Sequence, residues 1–180
     1  MDDTAALNTV DAVPLPAGSR ATGFYPHPDL ADAFAVRLPA EATHDPEALA
    51  RFLFAGQAPW VARLLWLRDR IVALFGIKTT RELQSRPEPA VRRIGFFRIY
   101  AQDASEILLG EDDSHLDFRL TVRCEPRTQQ LVVTTVVQCH NLVGRLYILV
   151  ISPFHRLVVR SALRRAARAG WPRAASSPTR

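Results

Sequence analysis

Two histidines, an aspartate and an arginine stand at spacings that suit proton transfer. Between Ser114 and Glu125 the chain alternates, so His115, Asp117, Arg119, Thr121 and Arg123 share one face of a strand. Leu116, Phe118, Leu120, Val122 and Cys124 share the other. A second run at 131–140 puts Val132, Thr134, Val136, Gln138 and His140 on one side. Pairing the runs as a hairpin, with 115 opposite 140, sets His115 beside His140 and Asp117 beside Gln138. A carboxylate near two imidazoles, with an arginine one step along, is the make-up of an acid/base site. It is equally what an antiparallel sheet shows to water when its other face is buried, and a wetted face is the expectation here.

A second set of polar groups falls on the last long apolar segment. At 100° per residue Tyr147, Ile151, Phe154, Val158 and Ala162 form one stripe, opposite Arg145, Ser152, Arg156, Arg160 and Arg164. Tyr147 is the polar-tipped member of the stripe and His155 lies on its flank. A buried tyrosine hydroxyl needs a partner, either in the sheet or in a bound ligand. Other chemistries lack their residues. Glu111, Asp112 and Asp113 are adjacent and so point apart in a strand, and no His-x-x-x-His is present, so no metal site is expected. There is no glycine-rich phosphate loop, and no cofactor is expected. Ser152 and Ser161 sit in no nucleophile elbow. Cys139 and His140 are neighbours on a strand and face opposite ways.

The elements that must position these groups follow from periodicity and punctuation. Residues 1–30, with Pro14, Pro16, Pro26 and Pro28, are expected to be irregular or flexible. A first strand over 32–38 sets Phe34, Val36 and Leu38 on one face. Asp45 as N-cap and Pro46 at the first helical position open a short helix. Pro59 opens a second, in which Trp60, Leu64, Leu67, Ile71 and Leu74 align. Strands at 94–100 and 106–110 form a hairpin around Gln102, and the 115–140 hairpin follows. A helix from about Gly144 to Ala169, kinked at Pro153, ends the domain. The remaining 170–180 is expected to be a flexible basic tail. The fold class is therefore α+β, a curved antiparallel sheet wrapped around a long C-terminal helix, with two short helices after the first strand and a domain spanning 31–169.

This order resembles the helix-grip fold of the START, birch-pollen-allergen and polyketide cyclase superfamily, called SRPBCC. The segments Gly110-Glu111-Asp112-Asp113-Ser114-His115-Leu116-Asp117-Phe118-Arg119 and Thr134-Thr135-Val136-Val137-Gln138-Cys139-His140-Asn141 are similar to those of an uncharacterised bacterial family of this kind. So are Gly144-Arg145-Leu146-Tyr147 and Pro153-Phe154-His155-Arg156. The resemblance covers roughly 30–168 and implies a cavity between sheet and helix, with no assigned activity. Phe96, Phe118, Val137, Tyr147, Ile151 and Phe154 would line that cavity, and an apolar or aromatic small molecule would fill it. Tyr147, His155, His140 and Asp117 are the candidate catalytic groups, for a cofactor-independent cyclase, dehydratase or isomerase of specialised metabolism. The alternative is a carrier or sensor without chemistry.

Charge bounds the partners. Of 23 basic residues, 22 are arginine, and residues 141–180 hold eight of them with no acidic residue. The first 140 residues carry 15 basic against 18 acidic groups, so the basic character sits in one block. That block gives no strong nucleic-acid signal, and an anionic surface, nucleic acid or membrane, is its remaining use. The acidic start at Met1, Asp2 and Asp3 has no signal-peptide pattern, and no uninterrupted apolar run of about 18 residues exists. A cytoplasmic protein without a transmembrane segment is expected.

Overall fold

The computed structural model describes residues 9–55, 92–95 and 97–174. Its elements are β1 (Val10–Ala12), β2 (Leu30–Arg37), α1 (Pro46–Phe54), β3 (Arg93–Ile94), β4 (Phe97–Gln102), β5 (Glu106–Asp112), β6 (Leu116–Glu125), β7 (Gln130–Cys139) and α2 (Leu142–Ala169). The strands form one antiparallel sheet in the order β1-β2-β7-β6-β5-β4-β3. The α+β class, with an open antiparallel sheet, a short helix and a long C-terminal helix, is as expected. The second predicted helix, at 60–75, lies outside the described residues.

Local chemistry sets the boundaries. Asp45 caps α1 by accepting from the amides of Glu47 and Ala48 at 3.1 and 3.3 Å, and Pro46 occupies the first turn where no donor is needed. The β4–β5 turn is held by Asp103, whose carboxylate accepts from the amides of Ser105 and Glu106. In the β6–β7 hairpin Asp117 stands opposite Gln138 and Leu116 opposite Cys139, the register read from alternation. Asn141 caps α2, two residues ahead of the expected start, and accepts from Gly144 N at 3.0 Å. The helix runs through Pro153 to Gly170, whose φ of 82° ends it. Pro153 leaves the Leu149 carbonyl without its helical donor, and the Ser152 hydroxyl reaches that oxygen at 3.5 Å.

Both helices cover one face of the sheet. Leu163 and Ala166 of α2 and Leu49, Ala50 and Leu53 of α1 pack with Phe34, Leu120, Val122 and Val133. Nearer the start of α2, Ile148 packs with Leu30, Leu116, Val137 and Cys139. The expected seat of α2 on the face built from Phe118, Leu120, Val133 and Val137 is found, but its rotation is not. Gly144, Ile148, Leu163 and Ala166 are its buried residues, whereas Phe154 is 42% exposed. The inward stripe is turned roughly 80° from the predicted one at 100° per residue. Apolar residues occupy both sides of this helix, so polar anchors decide. His155 Nε2 lies 3.3 Å from Asp32 Oδ1, and Arg145 Nε lies 3.5 Å from Asp29.

Gly144 brings α2 close against His115, just before β6, and against Cys139 of β7. A Cβ there would meet the His115 carbonyl oxygen, and that atom belongs to the backbone and cannot swing aside. Gly144→Ala gains helix propensity of about 1 kcal/mol, yet the overlap forces α2 off β6, a kind of strain that costs about 1–3 kcal/mol. A net loss of stability in urea titration is expected. A neutral or stabilised variant would show that α2 does not press on β6 here.

Two end segments depart from expectation. The N-terminal segment is not merely irregular. Val10–Ala12 pairs with β2, and residues 13–29 cover the reverse face of the sheet, where Ser19 and Ala21 are buried. Nor is the region after Ala169 a loose tail throughout. Trp171 is buried against Phe52, Pro172 accepts from Thr43 N at 2.7 Å, and Arg173 bridges Ala42.

Candidate functional site

The predicted polar ladder exists, but its middle is dry. Thr121 and Thr134 are fully buried, and Arg119 and Glu106 nearly so, because residues 13–29 lie over them. Solvent was the expectation for this face. The expectation fails because no signal in the sequence announces a covering segment without regular structure. Glu106 receives the Ser19 hydroxyl at 2.5 Å and the Arg20 amide at 2.9 Å. Arg119 lies in a cage of rings, its guanidinium carbon 4.0 Å from the centroid of Tyr100 and 4.7 Å from that of Phe24. It pairs with Asp112 at 2.7 Å, and Tyr100 donates to the same carboxylate at 2.7 Å. Burial works against ionisation of Asp112, but the bonds from Tyr100 and Arg119 outweigh it and hold the carboxyl below its ordinary range. Burial also pushes the Tyr25 phenol up to about 12, so near neutral pH it stays protonated and uncharged.

At the open end of the ladder the acid/base geometry survives. His140 Nε2 lies 3.0 Å from Asp117 Oδ2, with side chains 42% and 22% exposed. His115 is held separately, its Nδ1 2.9 Å from the Asn141 amide nitrogen. A carboxylate-oriented imidazole open to water is competent to shuttle protons. The other two candidates are elsewhere. Tyr147 is half-buried on the helix side of the sheet, and His155 is taken by Asp32. By strand alternation Asp117 and its partner lie on the reverse face. The four predicted catalytic groups therefore do not converge.

The predicted lining residues divide as well. Phe118, Val137 and Tyr147 meet in one cluster with Leu30, Leu116 and Ile148. Ile151 is half-buried, Phe154 points outward, and Phe96 lies outside the described residues. Missed by sequence reasoning was an aromatic row continuing from Phe118. Its ring stands 5.9 Å from Phe97 at 81°, and Phe97 stands 5.0 Å from Phe54 of α1. All three are half-buried. Alternation placed Phe118 on an apolar face, but Phe96 rather than Phe97 was expected beside it, and only the strand order brings Phe97 to α1. Buried Cys124 and Cys139 are each pushed up to about 11 by burial and stay thiols near neutral pH. Glu111 pairs with Arg93 at 2.9 Å.

A family model described as a protein of unknown function, DUF2867, matches residues 24–162, about three quarters of the chain. The chain belongs to the DUF2867 family. The match begins at Phe24, where the N-terminal segment closes on Arg119, and ends within α2 at Ala162. In this DUF2867 protein the matched stretch thus takes in the Asp117–His140 pair, the Arg119 cage and the aromatic row. Neither curated proteins nor solved structures give a match.

Proposed function

We propose that this DUF2867 protein binds an apolar, aromatic-rich small molecule on the helix side of its sheet and acts as a carrier or sensor. The observation that carries this reading is the row Phe54, Phe97 and Phe118, half-buried where core aromatics are normally sealed, with Tyr147 packed on the same patch as Phe118. Apolar guests gain about 25 cal/mol per Å² of surface removed from water, and the rings favour flat ones. The helix-grip resemblance points the same way, to a ligand between sheet and helix. A catalytic version, as a cyclase, dehydratase or isomerase, requires proton-transfer groups beside the guest. Asp117 and His140 sit behind the sheet instead, which favours the carrier.

Native mass spectrometry of freshly purified protein tests the proposal. An apolar adduct is expected, retained by Tyr147→Phe and reduced at least about tenfold in occupancy by Phe118→Ala, the loss of one ring contact plus its buried area. Absence of any adduct, together with unchanged uptake of a fluorescent apolar dye in Phe118→Ala, would refute it. A second reading rests on the accessible 3.0 Å Asp117–His140 pair alone. It requires turnover that His140→Gln abolishes while dye uptake is retained.

A further inference from the structure

The first four turns of α2 present an apolar face to solvent. Leu142 is 78% exposed and Leu149 73%, and Leu146, Val150, Phe154 and Leu157 are also exposed. At 100° per residue these six side chains cover an arc of roughly 140°, and they extend about 24 Å at 1.5 Å per residue. Monomeric soluble proteins rarely leave such a contiguous patch uncovered. The same helix is, among the described residues, long and apolar enough to cross a membrane, with mean hydropathy 1.5 over its best 18-residue window. The rule of an uninterrupted apolar run missed it because Arg145, Ser152 and His155 break the run. Its opposite side, however, is fixed to the sheet through Ile148, Leu163, Ala166 and the His155–Asp32 contact. The helix lies along the domain and is placed to lie in an interface plane.

Charge selects what covers this face. α2 contains six arginines and no acidic residue. Arg145 and Arg156 flank the apolar arc, and Arg164 and Arg168 extend it on the outward side toward the C-terminus. Arg145 and Arg156 lie 3.5 and 3.8 Å from Asp29 and Asp32, yet keep most of their surface in water. A groove of about 590 Å³ runs alongside, walled by Pro153, Leu157, Phe34 and Val13, with Arg156 and Arg160 in its lining. Arg160 stacks over Phe34 at 5.2 Å, and its Nε is buried with no hydrogen-bond partner among the described residues. A second copy of this chain, pairing α2 with α2, would oppose arginines to arginines with no carboxylate on the helix to meet them. Anionic headgroups over acyl chains match both halves of the surface.

We propose that this protein docks on an anionic bilayer surface through the outward face of α2, with Leu142, Leu146, Leu149, Val150, Phe154 and Leu157 in the acyl boundary and the flanking arginines on lipid phosphates. This is independent of the small-molecule reading, since the aromatic row lies on α1, β4 and β6 and shares no residue with this face. Flotation of the full chain with phosphatidylcholine vesicles, with and without a quarter phosphatidylglycerol, tests it. Binding to the anionic vesicles is expected to exceed binding to the neutral ones about tenfold or more, from two or more arginines near the surface, and to fall with added salt. The double change Leu146→Glu and Leu149→Glu alters exposed positions, so its thermal midpoint is expected to stay unchanged while flotation is lost. Arg164→Gln with Arg168→Gln is expected to reduce the preference for anionic vesicles. No flotation of the wild-type chain, or equal flotation with both vesicles, would overturn the proposal. So would a dimer by light scattering that the double glutamate variant converts to monomer, because a second copy would then cover the face.

Discussion

Removing residues 170–180 is expected to lower stability by about 3–5 kcal/mol, the range for emptying a buried tryptophan site. In a chain of this size that is a fall of roughly 10 °C in thermal midpoint. Trp171 is buried against Phe52 of α1, and the strand-like contacts of Pro172 with Thr43 and of Ala174 with Glu41 tie the segment to the loop before that helix. The indole nitrogen has no hydrogen-bond partner among the described residues, so the ring acts through its area alone. Trp171→Ala is therefore expected to reproduce most of the truncation, and Trp171→Phe to recover part of it. An unchanged midpoint in both the truncation and Trp171→Ala would show that this docking is not stabilising.

Glu106→Ala is expected to cost about 3 kcal/mol or more, since hydrogen bonds to a charged group are worth about 1.5–3 kcal/mol each. The carboxylate is buried and accepts from both Ser19 and the Arg20 amide, while the Ser19 hydroxyl also lies 3.2 Å from that of Thr121. Its loss takes the acceptor from the Ser19 hydroxyl and the Arg20 amide, and residues 13–29 lose their inner anchor. Glu106→Gln keeps the shape and one acceptor, so a smaller loss is expected. Limited proteolysis should cut within 13–29 faster in Glu106→Ala than in the parent. Equal cutting rates and an equal urea midpoint would mean that Glu106 does not hold this segment down.

The hairpin register and the cap of α1 were legible because each depends on local rules, whereas the Asn141 cap of α2 was not read. Side-chain alternation placed Asp117 against Gln138, and the Asp45-Pro46 pair marked the start of α1. The setting of α2 was not legible. Its apolar residues run almost all round, so the choice of inward stripe falls to His155 meeting Asp32 and to Gly144 meeting the backbone of His115. Those contacts join residues more than a hundred positions apart in one case and depend on a missing side chain in the other. The covering of the ladder by residues 13–29 was hidden for a related reason. Glu106 stands at the head of an apolar strand and drew no attention as a buried charge, and its partners at Ser19 and Arg20 carry no periodicity. The sequence set Asp117 near two imidazoles without choosing between them, and both the choice of His140 and the separation of Tyr147 and His155 became visible only in the structure.

β2 lies between β1 and β7, so the first long strand of the chain is zipped against the last. The strands β3 to β7 are sequential neighbours and can assemble through short turns as they leave the ribosome. β2 must wait for β7, which emerges after every other strand. Until then the edge of β2 away from β1 is unpaired, and the closing step must bring distant parts of the chain together at a loop-closure cost. Refolding should therefore be limited by the β2–β7 docking. Conservative substitutions at Val133 or Phe34 should slow folding, whereas those at Ile107 in the local meander should chiefly speed unfolding.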